Sequence, residues 1–229
     1  MKTIILLFSF ILSGAQLSPS DFFKEDYIFA QRYLHKHRND FGEIISSFNL
    51  TSAIVFPIVF PELVRYSMWK DYLETTTLEL LYIDDPSKSG YFSIGQFQIK
   101  PVFVEKLEKY ILENKNAYSD IAYIAAYKNV EPHEMRRERL NRLKMASWQI
   151  KYVCAMIKIV NNRYDLSNTS EIELIKVYCS AYNHDFLCSY DENILWQDKK
   201  LFPYGMKKDN PYSYVEVALH YYQQSKNNK

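Results

Sequence analysis

Five glycines in 229 residues is few, and that scarcity excludes a good deal. Glycine-dependent nucleotide-binding folds and turn-rich all-β designs need many positions without a Cβ, so neither is supported. Three cysteines, Cys154, Cys179 and Cys188, are too few and too unevenly spaced for a disulfide framework or a cysteine-based zinc site; they leave one bridge or buried free thiols open. Charge of one sign is missing too. With 28 Lys and Arg against 27 Asp and Glu the formal net charge is +1, so no global field attracts a polyanion and no nucleic-acid partner is expected. The segment His133-Glu134-Met135-Arg136-Arg137 starts like a zinc-protease motif, but Arg137 stands where the second ligand is needed. There is no Walker loop, dinucleotide fingerprint or serine nucleophile elbow. No metal and no cofactor are expected.

What the chain does have is apolar and aromatic: 48% hydrophobic residues, with 20 Tyr and 14 Phe. Such rings suit a helical core and a carbohydrate groove equally well. The opening stretch from Met1 to Ala15 has a basic start, a short apolar run and small residues at Ser13 and Ala15. It reads as a secretory signal spanning 1–15, which makes the mature chain an exported protein, periplasmic or secreted. No later apolar run approaches the length of a membrane span. Without repeats, low-complexity tracts or a shift in composition, residues 16–229 are expected to form one domain, acting as a monomer.

Apolar spacing at three and four residues makes that domain mainly α. Helices are expected from Pro19 to about Asn39, Phe41 to Phe48, Asp71 to Ile83 with Leu78, Leu81 and Tyr82 inward, and Val102 to Leu112. Further helices are expected across Asn114 to Val130, from Pro132, from Met145 to Tyr164, from Ser170 to Ala181, and from Pro211 to Gln224. Pro57 and Pro61 predict a kinked or two-part helix between Thr51 and Ser67. Asn193 to Asn210 reads as a loop. The basic run from Arg136 to Lys144 is either a solvated helix face or a contact for an acidic polymer.

Two short stretches carry candidate chemistry. Glu62 stands among Ile58, Val59, Phe60, Leu63 and Val64; an apolar setting penalises the ionised carboxyl, and an acid that keeps its proton near neutral pH can donate it. The alternative is an acidic residue placed after Pro61 to suit a helix start. The second stretch is the turn Ser93-Ile94-Gly95-Gln96-Phe97-Gln98-Ile99-Lys100-Pro101. A third segment, Ala181-Tyr182-Asn183, closes a later helix.

In that order the three segments resemble the lysozyme-like lytic transglycosylase superfamily, the muramidases that cleave bacterial cell-wall glycan. The family has an apolar helix bearing one acid, a Ser-x-Gly-Leu-Met-Gln-x-x-Pro turn and an Ala-Tyr-Asn signature. Here Gln96 and Phe97 replace its Leu-Met pair, Leu63 stands where Ser usually follows the acid, and His184-Asp185 follow Asn183 in place of Gly. The resemblance spans roughly Thr51 to Asp185 and implies a single lysozyme-like helical domain with a catalytic groove for peptidoglycan glycan strands.

Most glycosidases divide the cleavage between two carboxyl groups. The resemblance implies one, Glu62, which protonates the leaving oxygen of the β-1,4 bond and then takes the proton of the muramoyl C6 hydroxyl as a 1,6-anhydro ring closes. It further implies that Ser93 and Gln98 hydrogen-bond the sugar, that Gly95 lets the backbone come close, and that Tyr182 and Asn183 keep acid and sugar in register. Gln98 as a helix cap and Tyr182 as a core tyrosine stay open. So do a hydrolytic lysozyme, with a second carboxylate from Asp71, Glu74, Asp84 or Asp85, and a glycan-binding protein without activity.

Overall fold

The structure is a computed structural model that describes residues 16–69, 76–85, 92–207 and 209–227; the expected signal at 1–15 lies outside them. The chain is mainly helical: among the described residues, the β-type pairing consists of two isolated bridges, Ile94 with Ile99 and Phe202 with Tyr212. The helices are α1 (Pro19–Phe23), α2 (Glu25–Lys36), α3 (Arg38–Ser47), α4 (Ser52–Trp69), α5 (Thr76–Asp84), α6 (Pro101–Glu113), α7 (Pro132–Leu143), α8 (Ala146–Arg163), α9 (Glu171–Asn183), α10 (Tyr190–Trp196) and α11 (Tyr214–Asn227). No single described helix is long and apolar enough to cross a membrane.

The site is built on α4. All ten residues from Val55 to Val64 are buried, because α2, α3, α9 and α11 pack around it. The helix runs unbroken through Pro57 and Pro61 where a kink or a split is expected. Each interior proline costs about 3 kcal/mol, and each fully buried large apolar side chain returns about 1.5–3 kcal/mol, so surrounding packing decides. The Tyr214 hydroxyl donates to Ile58 O at 2.7 Å, tying α11 to α4 just ahead of the second proline.

Elsewhere several boundaries move. The single helix expected over 19–39 is cut by Lys24 at φ 46 and by a break at His37, and its cap is Ser18, whose hydroxyl accepts from the Asp21 amide at 3.3 Å. In α5 Tyr82 is buried as expected, but Leu78 and Leu81 are exposed. Over 114–130 the regular structure reduces to a 3₁₀ turn, Ser119–Ala125. The loop expected from Asn193 begins later, since α10 carries Asn193 buried against Val177 O. Cys154, Cys179 and Cys188 are buried free thiols.

The basic run on α7 is neither a solvated face nor a free patch. Arg139 and Arg142 are buried. Arg139 is paired to Glu105 and Glu108 on α6, and Arg142 to Glu138 and the Ile124 carbonyl. Arg136 donates to Ile83 O at 2.6 Å. The charges lock α7 to its neighbours.

Candidate active site

Glu62 sits on the buried stretch of α4, where the side chain is 5% exposed. It is not alone. Arg65, one turn on, places Nη1 at 2.7 and 2.8 Å from the two carboxylate oxygens. Burial pushes the Glu62 carboxyl above its usual range, against the opposing pull of Arg65 and, further off, Lys100. The same burial, with Glu62 nearby, pushes the Tyr182 and Tyr214 hydroxyls well up, so both remain neutral donors.

The glycine turn faces this acid. Ile94 and Ile99 exchange both backbone hydrogen bonds, at 3.0 and 3.2 Å, and closing so short a loop puts Gly95 at φ 67 and Gln98 at φ 50. A fully buried amide, Gln149 of α8, staples the turn from behind. Its nitrogen donates to Ile94 O and Leu143 O, each at 2.6 Å, and its oxygen accepts from the Phe97 amide at 2.9 Å. In front, the Tyr182 hydroxyl donates to Phe97 O at 2.6 Å, so α9 ends against the turn. Gln98 bonds its own turn, Nε2 to Gly95 O at 2.7 Å, and not a helix end.

Between these elements lies a cleft of about 420 Å³. Glu62, Ser93, Gln98, Tyr182 and Asn183 all line it. Gly95 does not. Its missing Cβ faces inward, where an added methyl would overlap the Gln149 amide and approach Leu143 O to 2.9 Å. The glycine serves the staple and not a ligand, which corrects its expected role.

Other lining residues were not anticipated from sequence. Arg65 is one, although its spacing of three from Glu62 on a helix was a readable signal. Lys106 and Asp185 form a second ion pair in the cleft, with Nζ at 2.6 Å from both oxygens. Phe103 packs edge-on against Tyr182, and His184 stacks on Trp196 at 3.8 Å. Of the carboxylates considered as a second acid, Asp71 and Glu74 lie outside the described residues, and Asp84 and Asp85 do not line the cleft. Asp185 does.

The arrangement offers a shielded proton donor, hydroxyl and amide groups for a polar ligand, and apolar ring surface beside them. No protein-family model, curated protein or solved structure matches the chain.

Proposed function

We propose that this protein is an exported peptidoglycan lytic transglycosylase on a lysozyme-like helical scaffold, cleaving the β-1,4 bond between N-acetylmuramic acid and N-acetylglucosamine. The observation that carries the reading is that one buried carboxyl, Glu62, opens onto the same cleft as Ser93, Gln98, Tyr182 and Asn183. Those four come from segments far apart in the chain, and each is a position at which the family resemblance implies a sugar contact.

In the proposed reaction Glu62 gives its proton to the leaving glycosidic oxygen as the bond to the anomeric carbon breaks. The substrate's acetamido group assists at that carbon. The C6 hydroxyl then attacks it, and its proton passes to the Glu62 carboxylate, which restores the acid. Proton and bonds balance without water. Tyr182 keeps the turn against α9 through Phe97 O, and Ser93 and Asn183 are free to bond the sugar.

A second reading, a hydrolytic lysozyme, is favoured by one observation: Asp185 is a second carboxylate in the cleft. Its pairing with Lys106 keeps it ionised, as a carboxylate facing an oxocarbenium-like centre or a water would need to be. Digestion of purified peptidoglycan followed by mass spectrometry of the muropeptides separates the two. Anhydro ends support the transglycosylase and reducing ends the hydrolase. Retained glycan binding with no released product would leave a wall-binding protein without activity.

A further inference from the structure

Arg65 makes three hydrogen bonds, and one of them does not involve Glu62. Its Nε donates to Pro203 O at 3.2 Å, and its guanidinium lies over the Phe202 ring, 4.8 Å from the centroid. Both anchors belong to one stretch, which is itself fixed: Phe202 N donates to Tyr212 O at 3.0 Å, and the Asn210 side chain bonds Tyr204 N and Gly205 O, each at 2.7 Å. Arg65 thus has reasons to stay where it is that are independent of the charge on Glu62.

The geometry at the other end is specific to a carboxylate. One nitrogen, Nη1, serves both oxygens. A donor so placed accommodates two acceptors but not an O–H, because a hydroxyl hydrogen on either oxygen would oppose the N–H groups aimed at it. A protonated Glu62 must therefore turn its hydroxyl oxygen away from Nη1. On its remaining sides it is enclosed by the packed wall of α4 or open to the cleft.

We infer that Arg65 is a positioning residue for Glu62: it holds the resting carboxylate, and when a proton arrives it stays on Pro203 and Phe202 and keeps one oxygen, so that the O–H points into the cleft. The inference rests on Glu62 as the proton donor. It adds that the donor's direction is set by an arginine whose position does not follow the donor's charge. The proton comes from water and nothing else is consumed. The groups that bear on Glu62 are Arg65 on its own helix, Lys100 from the turn, Tyr182 from α9 and Tyr214 from α11. Its α2 neighbour meets α4 through rings, Tyr27 against Phe60.

The test follows side-chain NMR signals of the full mature chain across pH. The Arg65 Nε–H signal of the unmutated protein is expected to persist both below and above the Glu62 midpoint, since the Pro203 bond survives; its loss on the acid side would overturn the inference. In Arg65→Met the Glu62 midpoint is expected to rise by about one pH unit or more as the opposite charge is removed, while Arg65→Lys stays nearer the parent. An unmoved midpoint in a folded Arg65→Met would also overturn it. Where Arg65→Met fails to fold, the Nε–H signal of the parent decides. With glycan present, the alkaline limit of cleavage should move up with the midpoint in Arg65→Met. If the parent cleaves no glycan at any pH, the proposed reaction falls, and the two NMR readouts still decide the role of Arg65.

Discussion

Two glutamates are buried among the described residues, Glu62 at 5% exposure and Glu108 at 3%, and each faces an arginine. Burial works against the charge of both. What differs is the remaining side. Around Glu108 the partners close completely: Arg139 donates from Nε at 3.0 Å and Nη2 at 2.6 Å, the Tyr127 hydroxyl takes the other oxygen, and Arg139 also reaches Tyr82 and Glu105. Glu62 has one arginine and then a cleft. A perturbed carboxyl is therefore not a functional sign by itself; an open concave side is what separates a reagent from a strut.

The comparison breaks most visibly under Glu62→Gln. That nearly isosteric change should leave the circular dichroism and melting profile close to the parent's while glycan cleavage drops by about 10²–10⁴-fold or more. Glu108→Gln should leave the pH profile of cleavage where it was. An equal loss of cleavage from both changes, each with the fold intact, would end the distinction.

Next in size is Arg139→Met. Removing one partner of a buried pair strands the other charge, at a cost of about 3–5 kcal/mol, read as a lower urea midpoint. Activity should be lost only in proportion to unfolding. Gly95→Ala should cost about 1–3 kcal/mol by urea unfolding, because it forces a side chain onto φ 67 and into Gln149. Lys106→Met, in a pair whose members are 41% and 34% exposed, should change stability by about 1 kcal/mol or less. Any larger effect should appear in the KM for glycan.

Acidity gives a further way to sharpen the contrast. The folded Glu62 midpoint lies above the unfolded one, so the stability linked to it is complete below the unfolded midpoint and is lost as pH rises through the folded midpoint. Cleavage should fall over the same interval, since the proton to be donated is then gone. Melting temperatures of the parent and Glu62→Gln, measured against pH, should diverge in that window and run parallel below it. Parallel curves throughout would show that burial does not perturb this carboxyl.

Helices whose ends carry their own chemistry were legible in sequence. Pro101 opens α6, Ser170 caps α9 by accepting from the Glu173 amide at 3.3 Å, and the apolar spacing of 146–163 matches α8. Glu62 could be singled out because its surroundings are written next to it in the chain. Contacts made across the fold could not. The apolar Leu78 and Leu81 carry no mark that α5 leaves them outside, and the arginines of α7 gave no sign that α6 holds their partners. Gln149 reads as an ordinary polar residue on a helix until three backbone groups of the turn and α7 converge on it. The signal of Gly95 was real, but its cause lay behind the turn and not in front of it.

The most direct test of the account digests purified peptidoglycan in heavy-oxygen water with the parent and with Glu62→Gln, and weighs the glycan ends. The account predicts that the parent releases anhydro ends carrying no solvent oxygen and that Glu62→Gln releases almost nothing. Intact glycan from the parent, or equal product from both proteins, would contradict it.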